Sequence, residues 1–421
     1  MKPTIQSSVF RLLSAATSSD LLRKTFSSRS PDIFNEEIAD SGFADLNSYL
    51  EGNRLDFENN LAMKPRGHDW VRSASHNVYL VKRKKEGGVH SVVKLMNDAY
   101  IGFDQEKKSY EPSEARRQAV LEVLSAKVGN LLCPNQFSQS EVATGVLGGV
   151  KTYAVASVFI PRTVSVRSVR EGNGLDMEDR DDGVFYLEPS NGSSLQTRAH
   201  IERASVERMK LSMDLRREMN RPGYEINDAI VEGRVGLKMA MYVLGEVDEV
   251  HNRDGNVLLK AASFHVDHEK KTITPEVVPV AIDCGLCLRA DSSRDRIEEK
   301  AYKLATREND SRTMGLELSL DGQYPSNVKP CKEKFLKNLV KVYESGKIDQ
   351  HVNWASPYLR HDDLGAIEAM KARLDICYLA GKCIEAGLDK SEKKNEARLF
   401  LREKLAEIEN SRGISAQGAQ R

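Results

Sequence analysis

The chain has 421 residues, more than one ordinary hydrophobic core holds, so a unit in two parts with terminal additions is the expected partition. Lys plus Arg and Asp plus Glu each number 62, a formal net charge of zero that argues against a globally basic nucleic-acid binder. No apolar run approaches the roughly 18 residues that a membrane span needs, so any membrane attachment is expected to be peripheral.

Residues 1–60 read as a serine-rich, mildly basic leader, with Ser7, Ser8, Ser14, Ser18, Ser19, Ser27, Ser28 and Ser30 interspersed with Arg11, Arg23 and Arg29. Leu12, Leu13, Leu21 and Leu22 form at most one or two amphipathic turns, without the continuous apolar core of a secretory signal peptide. The leader is expected to be disordered or an address: a mitochondrial-type presequence, or the export signal of a secreted protein that acts inside another cell.

Residues 65–160 form the first expected unit. Small polar residues Ser73-Ala74-Ser75-His76-Asn77 precede an alternating run, Val78 to Val81, and a Gly87-Gly88 segment leads to a second apolar run, His90 to Leu95. Two such runs read as a hairpin, and the small polar loop before them suits backbone N–H groups approaching phosphates. Lys94 lies inside the second strand, where a lysine needs either a partner such as a phosphate or an edge position facing solvent. Pro112-Ser113-Glu114 opens a helix whose Val120, Leu124, Val128 and Leu131 recur at three- and four-residue spacing. Ser113 is the expected N-cap. Glu114 suits the positive end of the helix dipole or a pair with Lys94. Tyr153 to Ile160 reads as a strand, and Pro161-Arg162 as a hinge that follows it.

Residues 161–330 carry the chemistry. Residues 167–200 read as loop, and helical patterns are expected at 201–219 and 225–247. The chain then runs Asp248-Glu249-Val250-His251-Asn252-Arg253-Asp254-Gly255-Asn256 into an apolar strand, and a second apolar run ends 27 positions later at Asp283-Cys284-Gly285. An Asp, then an Asn before a strand, then an Asp closing a second strand is how ATP phosphotransferases arrange a base and two Mg²⁺ ligands. In this reading Asn256 and Asp283 supply hard oxygen ligands to Mg²⁺. Asp248 or Asp254 accepts the proton of the attacking hydroxyl. Asp254-Gly255-Asn256 taken singly is also a common turn sequence. Cys284 and Cys287 have zinc-like spacing without a second pair. The six cysteines read as reduced core thiols of an intracellular protein.

Residues 331–412 are helical by pattern. Phe335, Leu336, Leu339, Val340 and Val342 form one apolar stripe, and Ile367, Met370, Leu374 and Cys377 another. Leu399, Leu401, Leu405 and Ile408 punctuate a charged third stretch, and residues 413–421 look like a frayed tail.

This order of parts resembles the phosphatidylinositol 3- and 4-kinase-like group, most nearly the type II phosphatidylinositol 4-kinases, with HipA-type bacterial protein kinases further off. Ser75 to Val81 is similar to the family's nucleotide loop and first strand, Val93-Lys94 to its ATP lysine, and Ala281 to Leu286 to its metal-binding segment. The resemblance covers scattered motifs between about residues 72 and 290. It implies an α+β, bilobal protein-kinase-like fold with extra C-terminal helices. It assigns ATP contacts to Ser75, Asn77, Lys94 and Glu114, a base to Asp248 or Asp254, and Mg²⁺ to Asn256 and Asp283. The acceptor is expected to be a phosphoinositide, or a protein hydroxyl.

Two departures qualify this. Asp248 and Asn256 are eight positions apart, wider than the family's spacing, which a short insertion after Asp248 reconciles; counted back from Asn256, the family's position falls on His251. In the segment after Asp283, Arg289, Arg294 and Arg296 are offset by Asp291, Asp295, Glu298 and Glu299, which mutes the lipid signal. Divergent kinase folds occur among bacterial effectors delivered into host cells, which suits the leader. The alternative is a catalytically silent, nucleotide-binding scaffold that acts through protein contacts.

Overall fold

A computed structural model describes residues 42–50, 53–56, 76–82, 89–101, 106–160, 163–165, 175–179, 185–189, 223–226, 230–231, 233–245, 256–288, 294–306 and 329–412. The fold is α+β, with two mixed sheets and a set of C-terminal helices.

The first sheet contains β1 (Ala44–Asp45), β2 (Asn53–Asp56), β3 (His76–Lys82), β4 (Val89–Ile101), β5 (Glu106–Ser109), β6 (Ser140–Leu147) and β7 (Val150–Val158). Its order is β1-β6-β7-β4-β3-β2, with β5 paired to the far end of β4. The β3–β4 hairpin is the one expected from sequence, with Val78 opposite Lys94 and Tyr79 opposite Val93. The residues 1–60 expected to form a leader include folded elements: β1 and β2 belong to this sheet and the short helix α1 (Leu46–Leu50) packs on it, while residues 1–41 lie outside the described residues.

The two faces of this sheet bury different things, as the two-residue period of a strand requires. Val93, Ala143, Ala154 and Ala156 face one way and pack with Leu46 and Leu50 of α1. Met96, Val142, Tyr153 and Val155 face the other way, into the main core beneath helix α2 (Pro112–Leu132). Lys94 shares the parity of Met96, so the register of β4 alone directs its side chain toward α2.

Helix α2 is the centre of the molecule. The sequence reads it as a helix with one apolar stripe, but it buries residues around its whole circumference, from Ala115 and Arg116 through Glu122 and Ser125 to Leu132. A helix apolar all round is one enclosed on every side. One side faces β4, β6 and β7, and the others meet α3 (Arg234–Leu244), α5 (Lys329–Glu344) and α6 (Lys347–Ala355). Its N-cap is Glu111, with Pro112 in the first turn, where a missing N–H costs nothing, and not Ser113.

The second sheet has the order β8-β13-β14-β12-β10-β9, with β11 also on β14. Its strands are β8 (Thr163–Ser165), β9 (Leu175–Asp179), β10 (Phe185–Pro189), β11 (Glu225–Ile226), β12 (Ile230–Val231), β13 (Val257–Asp267) and β14 (Thr272–Ala281). Strands β9 and β10 lie where the sequence reads as loop, and β11 and β12 where it reads as the start of a helix. Each is five residues or fewer, too short for a period to stand out against its Gly- and Asp-rich flanks. The β13–β14 hairpin is long, and Asp267 Oδ1 closes its turn by accepting the N–H groups of Glu269 and Lys270 at 3.0 and 2.9 Å.

The C-terminal helices are α4 (Ile297–Thr306), α5, α6, α7 (His361–Glu385) and α8 (Lys394–Ser411). Both apolar stripes expected in α5 and α7 are inside, Val342 only partly, whereas Leu399 of α8 is 62 % exposed. Asp375 of α7 has no solvent exposure and accepts from Arg294 Nη1 (3.0 Å), from both terminal nitrogens of Arg412 (2.7 and 2.8 Å) and from the Tyr343 hydroxyl (2.8 Å). Five of the six cysteines are buried, none is in a disulfide, and no helix among the described residues is long and apolar enough to cross a membrane.

The chain between α2 and β6 is threaded beside β14. Ser138 N donates to Ala281 O at 3.0 Å, Ala281 N donates to Gln136 O at 2.8 Å, and the buried Gln136 side chain donates to the carbonyls of Gly233 and Pro279, each at 3.1 Å. Phe137 then lies against Gly129 of α2, where a Cβ would come within 2.5 Å of its ring. Gly129→Ala is expected to cost about 1–3 kcal/mol through overpacking, read as a lowered urea midpoint with unchanged slope.

Candidate active site

Lys94 emerges from the middle of β4 on the α2 side, and its Nζ lies 3.0 Å from Glu122 Oε2 and 2.6 Å from Asp283 Oδ1. The lysine and glutamate side chains are 12 and 6 % exposed, and that of Asp283 is 43 % exposed. Burial by itself depresses a lysine's pKa, but the Asp283 and Glu122 carboxylates outweigh it and hold the Lys94 ammonium above the ordinary lysine value. Burial raises the Glu122 carboxyl, and the nearby Asp283 charge raises it further, against the opposing pull of Lys94.

Glu122, and not Glu114, is the helix partner of the lysine. The two glutamates are eight residues apart, which on a helix is about 12 Å along the axis. Glu114 sits in the first turn and pairs with Arg117 on its own helix and with Arg360 Nη2 at 2.7 Å. A signal for Glu122 was present in the sequence: it is the lone charge in the run Ala119-Val120-Leu121-Glu122-Val123-Leu124-Ser125-Ala126. A charge is rarely buried there without a partner.

Asp283 reaches the site because of how β14 ends. The ladder pairs Val257 with Ala281, and one step further Ile282 N donates to Asn256 O at 2.8 Å. Asn256 and Asp283 therefore leave the same end of the same hairpin, on neighbouring strands, as the metal-ligand reading requires. Asp283 then turns into the left-handed region, with φ 55° and ψ 67°, a conformation unusual for a residue with a Cβ and one that strained functional turns collect. The chain continues through a 3₁₀ turn, Cys284–Leu286, and Leu288 N donates to Leu244 O at 2.7 Å, which docks the turn on the C-terminal end of α3. Gly285 sits directly on the charge cluster. A Cβ there would lie 3.2 Å from both Asp283 Oδ1 and Glu122 Oε2, and 3.5 Å from Lys94 Nζ.

The remaining expected residues fall as follows. Asn77 lies within β3, opposite Leu95 and adjacent to the Val78–Lys94 pair, and not in a preceding loop. Ser75, Asp248 and Asp254 lie outside the described residues, as do Pro161 and Arg162. Of the arginines after Asp283, Arg294 is engaged by Asp375 and by Glu409 at 3.9 Å, while Arg296 is 80 % exposed beside Glu299 at 4.0 Å.

Asp283 brings an exposed carboxylate beside the Lys94 ammonium, and Asn256 begins the neighbouring strand at the same end of the hairpin. A carboxylate of this kind is a hard oxygen ligand and an ammonium attracts a polyanion, although no group of three or more metal-ligating side chains lies together among the described residues. No protein-family model matches the chain, and no curated protein is significantly similar to it.

The pairing itself is testable without any assay of activity. Lys94→Met removes the ammonium and leaves Glu122 buried and uncompensated, with an expected loss of about 3–5 kcal/mol in chemical denaturation. Adding Glu122→Leu to it is expected to recover most of that loss, because a buried ion pair replaced by apolar groups of similar volume is often neutral.

Proposed function

We propose that the chain is an ATP- and Mg²⁺-dependent phosphotransferase with a bilobal, protein-kinase-like fold. The observation that carries this is the Lys94 ammonium held between Glu122 of α2 and Asp283 at the end of β14. Protein kinases hold ATP with a lysine on the third strand of an antiparallel sheet, paired to a helix glutamate, and place a metal-binding Asp and Asn elsewhere in the chain. Strands β2, β3, β4, β7 and β6 are adjacent in that order, Lys94 is on the third of them, and Asn256 and Asp283 flank one hairpin.

In this reading Lys94 orients the phosphates of ATP, and Glu122 keeps the ammonium aimed at them. Asp283 and Asn256 fit Mg²⁺, which is usually held by one or two carboxylates plus phosphate oxygens, and the bound ion would neutralise charge on those oxygens. The bond from the terminal phosphorus to the ADP oxygen breaks as the acceptor hydroxyl oxygen bonds to phosphorus, and the hydroxyl proton passes to Asp248 or Asp254. Support for either base comes from the ends of the segment that carries them. Leu244 O is bonded to Leu288 N and Asn256 O to Ile282 N, so the chain from 245 to 256 leaves and rejoins the turn that holds Asp283.

The resemblance in the motifs favours a phosphoinositide acceptor, with peripheral membrane contact. The engagement of Arg294 by Asp375 and Glu409 favours a protein hydroxyl instead, because it withdraws a cation from any headgroup. Radiolabelled ATP with Mg²⁺ separates the two, with phosphatidylinositol-containing liposomes in one arm and cell extract in the other. Transfer is expected in one arm, and Asp283→Ala or Lys94→Met is expected to lower it by at least about 10²-fold. Mg²⁺-dependent nucleotide binding without turnover would assign the chain to the scaffold reading, and absence of nucleotide binding would overturn the proposal.

A further inference from the structure

Helix α2 carries Glu122, and its position decides whether Glu122 reaches Lys94. Helix α2 is fastened to the segment that joins α6 to α7 at two places, around residues 114–117 and at Lys127. At the N-terminal end, Arg117 Nη1 lies 2.5 Å from Asp363 Oδ1 and Arg360 Nη2 lies 2.7 Å from Glu114 Oε2. Asp363 also caps α7 by accepting the N–H of Arg360 at 2.8 Å through its other oxygen, so one carboxylate starts α7 and grips α2. Beside Arg117, the buried Arg116 guanidinium lies near the rings of Tyr358 and of Tyr153 in β7, with centroids 5.5 and 5.9 Å away. Near the other end, Lys127 Nζ lies 4.2 Å from the ring centroid of Trp354 in α6. Three cations of α2 are thus met by an acid or an aromatic ring of the segment 354–363, in geometries that hold cations well once partly desolvated.

We propose that Arg117 and Asp363 are positioning residues, and that residues 354–363 hold α2 in cis at the place where Glu122 engages Lys94. In kinases, the placement of this helix is the step that activating phosphorylation controls. Here the same constraint is built from the C-terminal helices of the chain itself. The nucleotide consequence rests on the proposed phosphotransferase function; the mechanical claim about α2 does not.

The test uses the full chain and the variant Asp363→Asn, which keeps an oxygen to cap α7 but removes the charge facing Arg117. Lys94 reactivity is read by brief acetylation and mass spectrometry, with the exposed Lys337 as internal reference. Asp363→Asn is expected to raise Lys94 labelling, and the KM for ATP, by about tenfold, within the range by which a coupling network is perturbed. Asp363→Glu is expected to restore both, and Asp362→Asn on the exposed side to change neither. The proposal is overturned if Lys94 labelling in Asp363→Asn stays within about twofold of the unsubstituted chain, the scale of an idle surface ion pair. It is also overturned if labelling rises equally at all buried lysines, which marks general loosening. Selective Lys94 labelling in a protein that never binds ATP would confirm the clamp and overturn the phosphotransferase reading, so the two failures are distinguishable.

Discussion

A buried ammonium and a buried carboxylate cannot be kept singly; each needs the other close by, with the remaining hydrogen-bonding capacity filled. Lys94 and Glu122 satisfy this pairwise, and Asp283 completes the cluster from the half-exposed side. The arrangement links three elements that are remote in sequence: a strand of the first sheet, the enclosed helix and the end of the β13–β14 hairpin. Loss of register in the strand or in the helix leaves a charge unpaired in the core, so the cluster helps to specify how β4 and α2 meet.

The surrounding structure makes that cluster rigid from three directions. Below it, the Gln136–Ser138 segment pairs with Ala281, so the residue two before Asp283 is bonded to the chain that has just left α2. To one side, a Cβ at Gly285 would press within 3.2 Å of both carboxylates. Behind it, α3, α5 and α6 enclose the rest of α2. A second buried cluster, centred on Asp375, ties α7, Tyr343 of α5, Arg412 and Arg294 together in the same way. Its burial pushes the Tyr343 hydroxyl above its ordinary pKa, reinforced by the Asp375 charge, while Asp375 helps hold the Arg412 guanidinium protonated.

Much of the site was legible because its residues break local patterns. Lys94 interrupts an apolar strand, and Asp283 ends one abruptly before a glycine. Both anomalies hold spatially, as does the pairing of Asn256 with the end of β14. Glu114 stands out in the sequence because it opens the helix, whereas Glu122 in mid-helix acquires meaning only when the opposite strand is known. The short strands β9 to β12 escaped for a related reason: two to five residues carry too little period to be read against the turn residues beside them.

The sequence by itself determined the α2, α5 and α7 helices, the β3–β4 hairpin and the identity of the lysine and the terminal aspartate, because periodicity and misplaced charge are local properties. Tertiary structure alone decided which glutamate meets that lysine and that α2 is enclosed on every side. It also decided that Arg294 turns inward to Asp375 and that Ala44–Asp45 and Asn53–Asp56 join the first sheet. Each of these depends on which surfaces face one another across the core, a relation between distant segments that no window of sequence contains.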